Sequence, residues 1–237
     1  VKKVKKAKDS RELWYNGSMI KFTIITLFKE AIEPYLKSSM MEKAARRGLA
    51  EFSFVNLRDF GLGPHKSVDD TPYGGGDGML LRCEPVFSAI ESVKAVDPDA
   101  KVILPTPSGK IWNQEMAKQM VDIPAGHYII LCPHYEGYDE RILSIVDYKV
   151  SLGKYVLTGG ELPALIIIDS VVRLIPGVLG GEKSAEIESF SDGDNLEYTQ
   201  NTRPEVFSGM KVPEVLLSGN HGEIAKWREE HSGKVEN

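Results

Sequence analysis

The sequence YIILCPHYEG, residues 128–137, joins an apolar run to a loop of proline, glycine and polar residues. The run at 128–132 is nearly continuous in apolar residues, which is typical of a strand whose two faces are both covered by helices. A similar arrangement occurs earlier, where apolar residues 102–104 lead into PTPSG at 105–109. Two such strands, each followed by a loop, indicate a buried, mostly parallel sheet.

The chain before this stretch alternates between two patterns. Apolar, β-rich runs at 20–28 and 52–57 are separated by helix-like stretches such as 30–47 and 85–96. Alternation of this kind predicts an α/β fold built from βαβ units around a mostly parallel sheet.

Four segments differ in composition. Residues 1–18 hold six basic residues against two acidic ones and lead into no apolar signal segment, so we expect a disordered basic extension. The main domain is expected to cover 19–176. A linker is predicted over 177–201, where glycines give way to charged residues, and 202–237 form a short C-terminal domain ending in a helix at 223–231.

The composition, 42% hydrophobic and 27% charged over 237 residues, is that of an ordinary globular chain. No apolar run approaches the roughly 20 residues of a membrane helix, so we expect no membrane partner. Cys83 and Cys132 show no pairing pattern, which indicates two buried thiols in a reducing, cytoplasmic setting. Because the formal net charge is −5, any nucleic-acid site must be a local basic patch.

Several common enzyme classes are excluded by missing motifs. The chain has no G-x-x-x-x-G-K-[ST], no G-x-G-x-x-G after its first strand, no C-x-x-C, no H-E-x-x-H and no G-x-S-x-G. The loop after Phe28 also lacks the glycines of a doubly wound methyltransferase. If the chain binds a nucleotide-like ligand, it therefore does so elsewhere.

Three Gly/Pro loops offer such a place, at residues 105–109, 133–137 and 157–163. Loops at the carboxyl ends of parallel strands bind the ligands of open α/β sheets, and glycine lets backbone approach a ligand closely. Any one of the three is equally well explained as a plain turn; three near one edge favour a pocket. A fourth loop, at 69–79, is glycine-rich and carries carboxylates, which indicates a substrate-contacting segment.

Arg173 ends an apolar helix predicted over 164–175, and Glu186 and Glu188 lie in the acidic linker. Taken alone, these residues are most simply a helix-end arginine that extends to solvent and a solvated acidic face.

Five segments together resemble the bacterial tRNA (guanine-N1)-methyltransferases, the TrmD family of the SPOUT class. They are DDTPYGGGDGM (69–79), HYEGYDER (134–141), LTGGELP (157–163), IDSVVRLIPGVLG (168–180) and TRPEVFSGM with VPEVLLSGN (202–220). The resemblance runs in order from residue 20 to residue 228.

The resemblance implies a deep trefoil knot, a rare exception among folds, and a homodimer with its active site at the subunit interface. It implies a methyl transfer from S-adenosylmethionine to N1 of the guanine 3′-adjacent to the anticodon, position 37, in tRNA, with the C-terminal domain binding tRNA. Magnesium dependence is suggested by the resemblance alone, since no metal-ligand spacing is visible and no metal ligand is predicted.

The resemblance also implies site residues. Asp69 and Arg173 would contact tRNA, and Glu188 and Arg173 would be catalytic, because methylation at N1 needs a base for its proton and positive charge near O6. The cofactor positions would be Pro105, Thr106, Pro107, Gly109, Tyr135, Glu136, Gly137, Ser151, Leu152, Gly153, Tyr155, Leu157, Gly159, Gly160 and Pro163.

The chain departs from the family pattern at three positions. Glu188 stands where the family has aspartate, Pro133 stands where glycine precedes His-Tyr-Glu-Gly, and Asp77 adds a charge to the glycine-rich loop. Two alternatives stay open at this point. One is a ribose 2′-O methyltransferase of the same fold, which would not need Arg173 and Glu188. The other is a non-catalytic RNA-binding or nucleotide-sensing module, which would keep the loops but have lost activity through the change at Glu188 and the short C-terminal part.

Overall fold

Five parallel strands form the main sheet of the computed structural model, which describes residues 19–124, 126–180, 188–191 and 193–234. The strands are β1 (Ile20–Thr26), β2 (Ala50–Asn56), β5 (Lys101–Ile111), β6 (His127–Leu131) and β7 (Tyr148–Ser151), in the order β2-β1-β6-β5-β7. Two short strands, β3 (Asp69–Asp70) and β4 (Leu80–Leu81), form a separate antiparallel pair. The predicted mostly parallel α/β sheet is confirmed.

Helices cover both faces of the sheet. They are α1 (Lys29–Leu36), α2 (Ser39–Arg46), α3 (Cys83–Lys94), α4 (Gln114–Val121) and α5 (Glu161–Val172), with 3-10 helices at Leu57–Phe60 and Glu140–Ile145. Along β6, Tyr128 and Ile130 pack into the core under α1, α2, α4 and α5, whereas Ile129 and Leu131 pack into the core under α3. The continuous apolar run is therefore explained, because successive side chains of a strand point to opposite faces.

Several local predictions were wrong in detail. The single helix expected over 30–47 is two helices, because the chain breaks at Lys37 and Ser38, where the Ser38 hydroxyl donates to the carbonyl of Tyr35 at 2.8 Å. Serine competes for backbone hydrogen bonds in this way and so favours helix ends. Cys83 is only half-buried, at the start of α3, while Cys132 is fully buried as expected.

The loop predicted at 105–109 is also different, because β5 continues through it to Ile111. A bulge between Pro105 and Lys110 interrupts its pairing with β7. Proline has no N–H to give to a strand ladder, and a bulge is where a strand tolerates it. Neither β7 nor α4 was anticipated, since both are short.

The chain divides into two units between Leu179 and Gly180. The second unit holds a hairpin of β8 (Val206–Phe207) and β9 (Met210–Lys211), followed by α6 (Glu214–Leu217) and α7 (His221–Glu230). It is thus helical with a small hairpin added. The predicted basic extension at 1–18 and residues 181–187 of the predicted linker lie outside the described residues. Within the described ranges, no helix is both long and apolar enough to cross a membrane.

Candidate active site

The bulged part of β5 and the carboxyl ends of β6 and β7 surround a pocket of about 170 Å³. Its walls are formed by residues 105–107 within β5, by the end of β7, by the segments that follow β6 and β7, and by the start of α5. Fourteen of the fifteen predicted cofactor positions line it: Pro105, Thr106, Pro107, Tyr135, Glu136, Gly137, Ser151, Leu152, Gly153, Tyr155, Leu157, Gly159, Gly160 and Pro163. The three Gly/Pro segments singled out in the sequence therefore meet at one place.

Gly109 is the position that does not line the pocket. It lies in β5, where a Cβ atom would sit 2.5 Å from the backbone nitrogen of Val150 in β7. Real Cβ atoms do not come so close to backbone, so Gly109 lets the two strands approach each other. Its contribution to the pocket is through the placement of β7.

One wall is a tight turn after β7. The amide of Gly153 donates to the Ser151 hydroxyl at 3.3 Å, and that hydroxyl lies 3.2 Å from the Gly153 carbonyl. Gly153 has a φ of 148°, and a Cβ there would meet the ring of Tyr155 at 2.6 Å. Glycine at this position permits both the backbone conformation and the close packing of Tyr155.

The opposite wall is the segment after β6, and it is tied to the glycine-rich loop at 69–79. The Glu136 amide donates to the Met79 carbonyl at 3.1 Å, and the Leu81 amide donates to the Gly137 carbonyl at 2.9 Å. A Cβ on Gly78 would lie 2.3 Å from the Glu136 side chain, so this glycine permits the contact.

The same wall brings Asp69, a predicted tRNA contact, next to a predicted cofactor residue. Burial raises the pKa of the Tyr135 hydroxyl, and a hydrogen bond to the Asp69 carboxylate raises it further, while Arg58 acts in the opposite direction. Asp69 therefore lies beside the pocket rather than in its lining.

Behind the pocket, Glu161 is buried in the first turn of α5. Its Oε1 accepts from the Thr26 hydroxyl at 2.7 Å, and its Oε2 lies 3.1 Å from Nε2 of His134, which lines the pocket. Sequence reasoning missed both His134 and Glu161. The signal for Glu161 was available, because an acid that begins an otherwise apolar helix needs polar partners once that helix is buried.

Other lining residues were missed as well. These are Pro133, Tyr138, Val150, Val156 and Thr158. The Tyr138 hydroxyl donates to the Thr106 hydroxyl at 2.9 Å and so joins two walls of the pocket.

The two predicted catalytic residues lie in different units. Arg173 follows the last residue of α5, is half-buried, and donates its backbone amide to the Asp169 carbonyl at 3.1 Å. Glu188 belongs to the second unit, is half-buried, and its carbonyl accepts from the Ser191 amide at 3.1 Å. Each position is partly open, as contact with a substrate requires.

A pocket at the carboxyl edge of a parallel sheet, with glycines that let backbone approach it, is typical of α/β proteins that bind a small ligand. Comparison with known proteins narrows this class. A family model described as tRNA (Guanine-1)-methyltransferase TrmD matches residues 20–236. The chain therefore belongs to this family and is a methyltransferase.

Individual relatives agree with that assignment. A tRNA (guanine-N(1)-)-methyltransferase of Citrifermentans bemidjiense is 50% identical over 210 residues, which is 88% of this chain and 83% of the relative. One of Clostridioides difficile is 50% identical over 222 residues, 91% of this chain and 94% of the relative. The crystal structure of tRNA (m1G37) methyltransferase from Aquifex aeolicus superposes with a TM-score of 0.75 at 36% identity, covering 90% of this chain and 89% of that chain.

Proposed function

We propose that the chain transfers a methyl group from S-adenosylmethionine to N1 of the guanine 3′-adjacent to the anticodon, position 37, in tRNA. The observation that carries this proposal is the pocket itself, in a chain that matches the tRNA (guanine-1)-methyltransferase model from residue 20 to residue 236. Its lining contains fourteen of the fifteen positions that the family resemblance assigns to the cofactor.

The residues of the pocket suit S-adenosylmethionine. Leu152, Tyr155 and Leu157 line the pocket without being fully buried and offer apolar surface to an adenosine, and the loop backbone offers amide and carbonyl groups. Among the described residues that line the pocket there is no lysine or arginine, and Glu136 contributes a carboxylate. This charge favours a ligand with cationic sulfonium and ammonium groups over one that carries phosphates.

When bound, S-adenosylmethionine supplies an electrophilic methyl group. The protein must then make N1 of the guanine nucleophilic, and this nitrogen is protonated at neutral pH. Glu188 is proposed to remove the N1 proton, while Arg173 stabilises the negative charge that develops on O6. Asp69, beside the pocket wall, is proposed to contact the tRNA. The change from aspartate to glutamate keeps the intrinsic pKa within roughly half a unit and adds one methylene of reach.

A homodimer is proposed as the active unit. Apolar side chains stand exposed near the pocket on the first unit, among them Val156 with 86% of its surface exposed, Leu162 and Ile166. Leu162 and Ile166 are four residues apart on α5 and so share one face of that helix. An exposed apolar patch of this kind is typical of a protein–protein contact, and a second copy of the chain would cover it.

Further features follow from the same resemblance. The deep trefoil knot of the SPOUT class is proposed from the family resemblance alone. The C-terminal unit is proposed to bind tRNA, and tRNA as substrate favours a cytoplasmic enzyme. Magnesium dependence rests on the resemblance, and the described residues hold no cluster of three His, Cys, Asp or Glu that could bind a metal.

The test is a methyl-transfer assay with labelled S-adenosylmethionine and an unmodified tRNA transcript. We expect label in a transcript with guanine at position 37 and none in a transcript with adenine there, and digestion should yield N1-methylguanosine. Label on a ribose would support the ribose methyltransferase instead. Cofactor binding without any transfer, to any tRNA transcript, would support the non-catalytic alternative.

A further inference from the structure

A hydrogen-bonded pair, His134 and Glu161, stands between the pocket and the core. Glu161 is only 8% exposed, yet both of its carboxylate oxygens have partners, the Thr26 hydroxyl at 2.7 Å and His134 Nε2 at 3.1 Å. An ionised carboxylate can only accept hydrogen bonds, so Nε2 of His134 is the donor when Glu161 is ionised. The negative charge also lies in the first turn of α5, where the helix dipole stabilises it.

This pair joins three segments that are distant in the sequence. The Thr26 hydroxyl, which donates to Glu161, accepts from the Phe28 amide at 2.9 Å, so the end of β1 is included. The His134 ring packs against the Phe28 ring with centroids 4.8 Å apart. His134 therefore links the segment after β6 to the end of β1 and to the first turn of α5.

The segment that begins at His134 needs such support. Tyr135 has a φ of 64°, a left-handed conformation that costs free energy in any residue other than glycine and persists only where the surroundings enforce it. On its far side the segment is held by the bond from the Glu136 amide to the Met79 carbonyl. On its near side, the segment is held by the bond between His134 and Glu161 and, one residue earlier, by the bond from the Gly160 amide to the Pro133 carbonyl.

The hydrogen bond between His134 and Glu161 lies next to Gly159, in the wall of the pocket. A Cβ atom on Gly159 would lie 2.6 Å from Nε2 of His134 and 2.6 Å from Oε2 of Glu161. The bond between the two side chains thus passes directly beside a residue that lines the pocket. The wall has its present shape because Gly159 leaves room for the bond.

We propose that His134 is a positioning residue, which holds Tyr135, Glu136 and Gly137 in the shape that binds S-adenosylmethionine and does so through Glu161. This inference rests on the proposed function of the pocket. The role of His134 differs from that of the residues that contact the methyl group or the guanine, because its imidazole holds the pocket wall in place and does not touch the reacting atoms.

The experiment compares His134→Ala and His134→Gln in calorimetry with S-adenosylmethionine and in steady-state methyl transfer. His134→Ala leaves a buried carboxylate without one partner, and we expect its Kd and its KM for the cofactor to rise about tenfold to a hundredfold. At saturating cofactor, kcat should stay within about twofold of wild type. His134→Gln keeps an N–H donor at similar reach and should restore most of the affinity.

The matched control is His127→Ala, at the other end of β6. Like His134, His127 is half-buried and paired, with Asp97 at 3.0 Å and the Thr23 hydroxyl at 2.8 Å, but it does not line the pocket. We expect a lower melting temperature with unchanged cofactor affinity. Asp97→Asn is a milder second control for the same pair. His134→Asn, whose amide is too short to reach Glu161, should behave like His134→Ala if the alanine variant does not fold.

Three results would overturn the proposal. They are wild-type cofactor affinity in His134→Ala or His134→Asn, equal losses in His134→Gln and His134→Ala, and an equal loss of affinity in His127→Ala. Absence of S-adenosylmethionine binding by the wild-type chain is a different result, because it would overturn the proposed function of the pocket itself.

Discussion

Replacing Gly159 by alanine should weaken cofactor binding while leaving the protein folded. The new Cβ atom would stand 2.6 Å from His134 Nε2 and 2.6 Å from Glu161 Oε2. Both atoms are the ends of side chains that can move, so the backbone need not shift. They cannot both move away and keep their 3.1 Å hydrogen bond.

The size of the effect follows from that bond. A hydrogen bond to a charged group contributes about 1.5–3 kcal/mol, and 1.4 kcal/mol is a factor of ten in an equilibrium constant. If the loss is shared equally between folding and binding, about 0.75–1.5 kcal/mol falls on binding, and the Kd for S-adenosylmethionine should rise about threefold to twelvefold. The free energy of unfolding should fall by no more than about 3 kcal/mol, which most domains survive.

The next residue provides a contrast. A Cβ on Gly160 would lie 2.4 Å from Cδ of Pro133 and 2.5 Å from Cα of Cys132, and neither atom can move without moving backbone. Gly160→Ala should therefore lower the melting temperature strongly, or prevent folding. Gly180→Ala is the matched control, because no atom lies within 4 Å of its Cβ position.

The assay is calorimetry with S-adenosylmethionine, combined with thermal unfolding of the same samples. Wild-type affinity in a folded Gly159→Ala variant would refute the reasoning, since the alanine would then fit without disturbing the wall. A large loss of stability in Gly180→Ala would show that the distances at these glycines do not predict the cost of a methyl group.

Three further predictions concern catalysis, assembly and thiol chemistry. Glu188→Gln should lower kcat by about 10²–10⁴-fold, the usual contribution of a general base, with cofactor affinity unchanged, and Glu188→Asp should retain or raise activity. Single-turnover kinetics checks both variants. If Glu188→Gln keeps its activity while Glu186→Gln or Asp192→Asn is inactive, the general base is that neighbouring residue and not Glu188. Val156→Asp should convert a dimer of the 26.3 kDa chain into monomers, as measured by light scattering. The control is Val96→Asp, which should leave the dimer intact, because Val96 is equally exposed but does not line the pocket. A monomeric wild type with full activity would contradict the proposed dimer. Burial and the neighbouring Asp139 carboxylate raise the pKa of Cys83 to about 11. Alkylation of Cys83 should therefore be slow at pH 8 and accelerate as the pH rises toward 11. An alkylation rate at pH 8 equal to that of a free thiol would rule out the raised pKa.

The sheet could be predicted from the sequence because the same pattern, a run of apolar residues, recurs in its central strands. The runs that contain Ile24, Ile103 and Ile130 are apolar on both faces, and these three residues are paired in register across β1, β5 and β6. The break between α1 and α2 carried a weaker signal, the two serines Ser38 and Ser39 after a lysine, and was missed. The strand β7 is only four residues long, so periodicity could not reveal it.

The pocket was predictable only in part, for a related reason. Glycine and proline mark loops, and loops after parallel strands meet at one edge, so the three segments could be found in advance. The pattern could not show that Gly109 packs against Val150 in the next strand. Nor could it show that His134 and Glu161, 27 residues apart, share a hydrogen bond.

The cofactor and the tRNA require protein surfaces of opposite charge. The pocket offers carboxylate and no lysine or arginine among its described lining residues, which suits a cationic cofactor, but a phosphate backbone requires cations to bind. In a chain with a formal net charge of −5, tRNA must then be held by local cations outside the pocket. Only the target base needs to approach the acidic wall, and a neutral guanine can do so where a phosphate could not. The guanine becomes anionic only on losing its N1 proton, so we expect a cation beside the base and not in the cofactor pocket, which is the role proposed for Arg173.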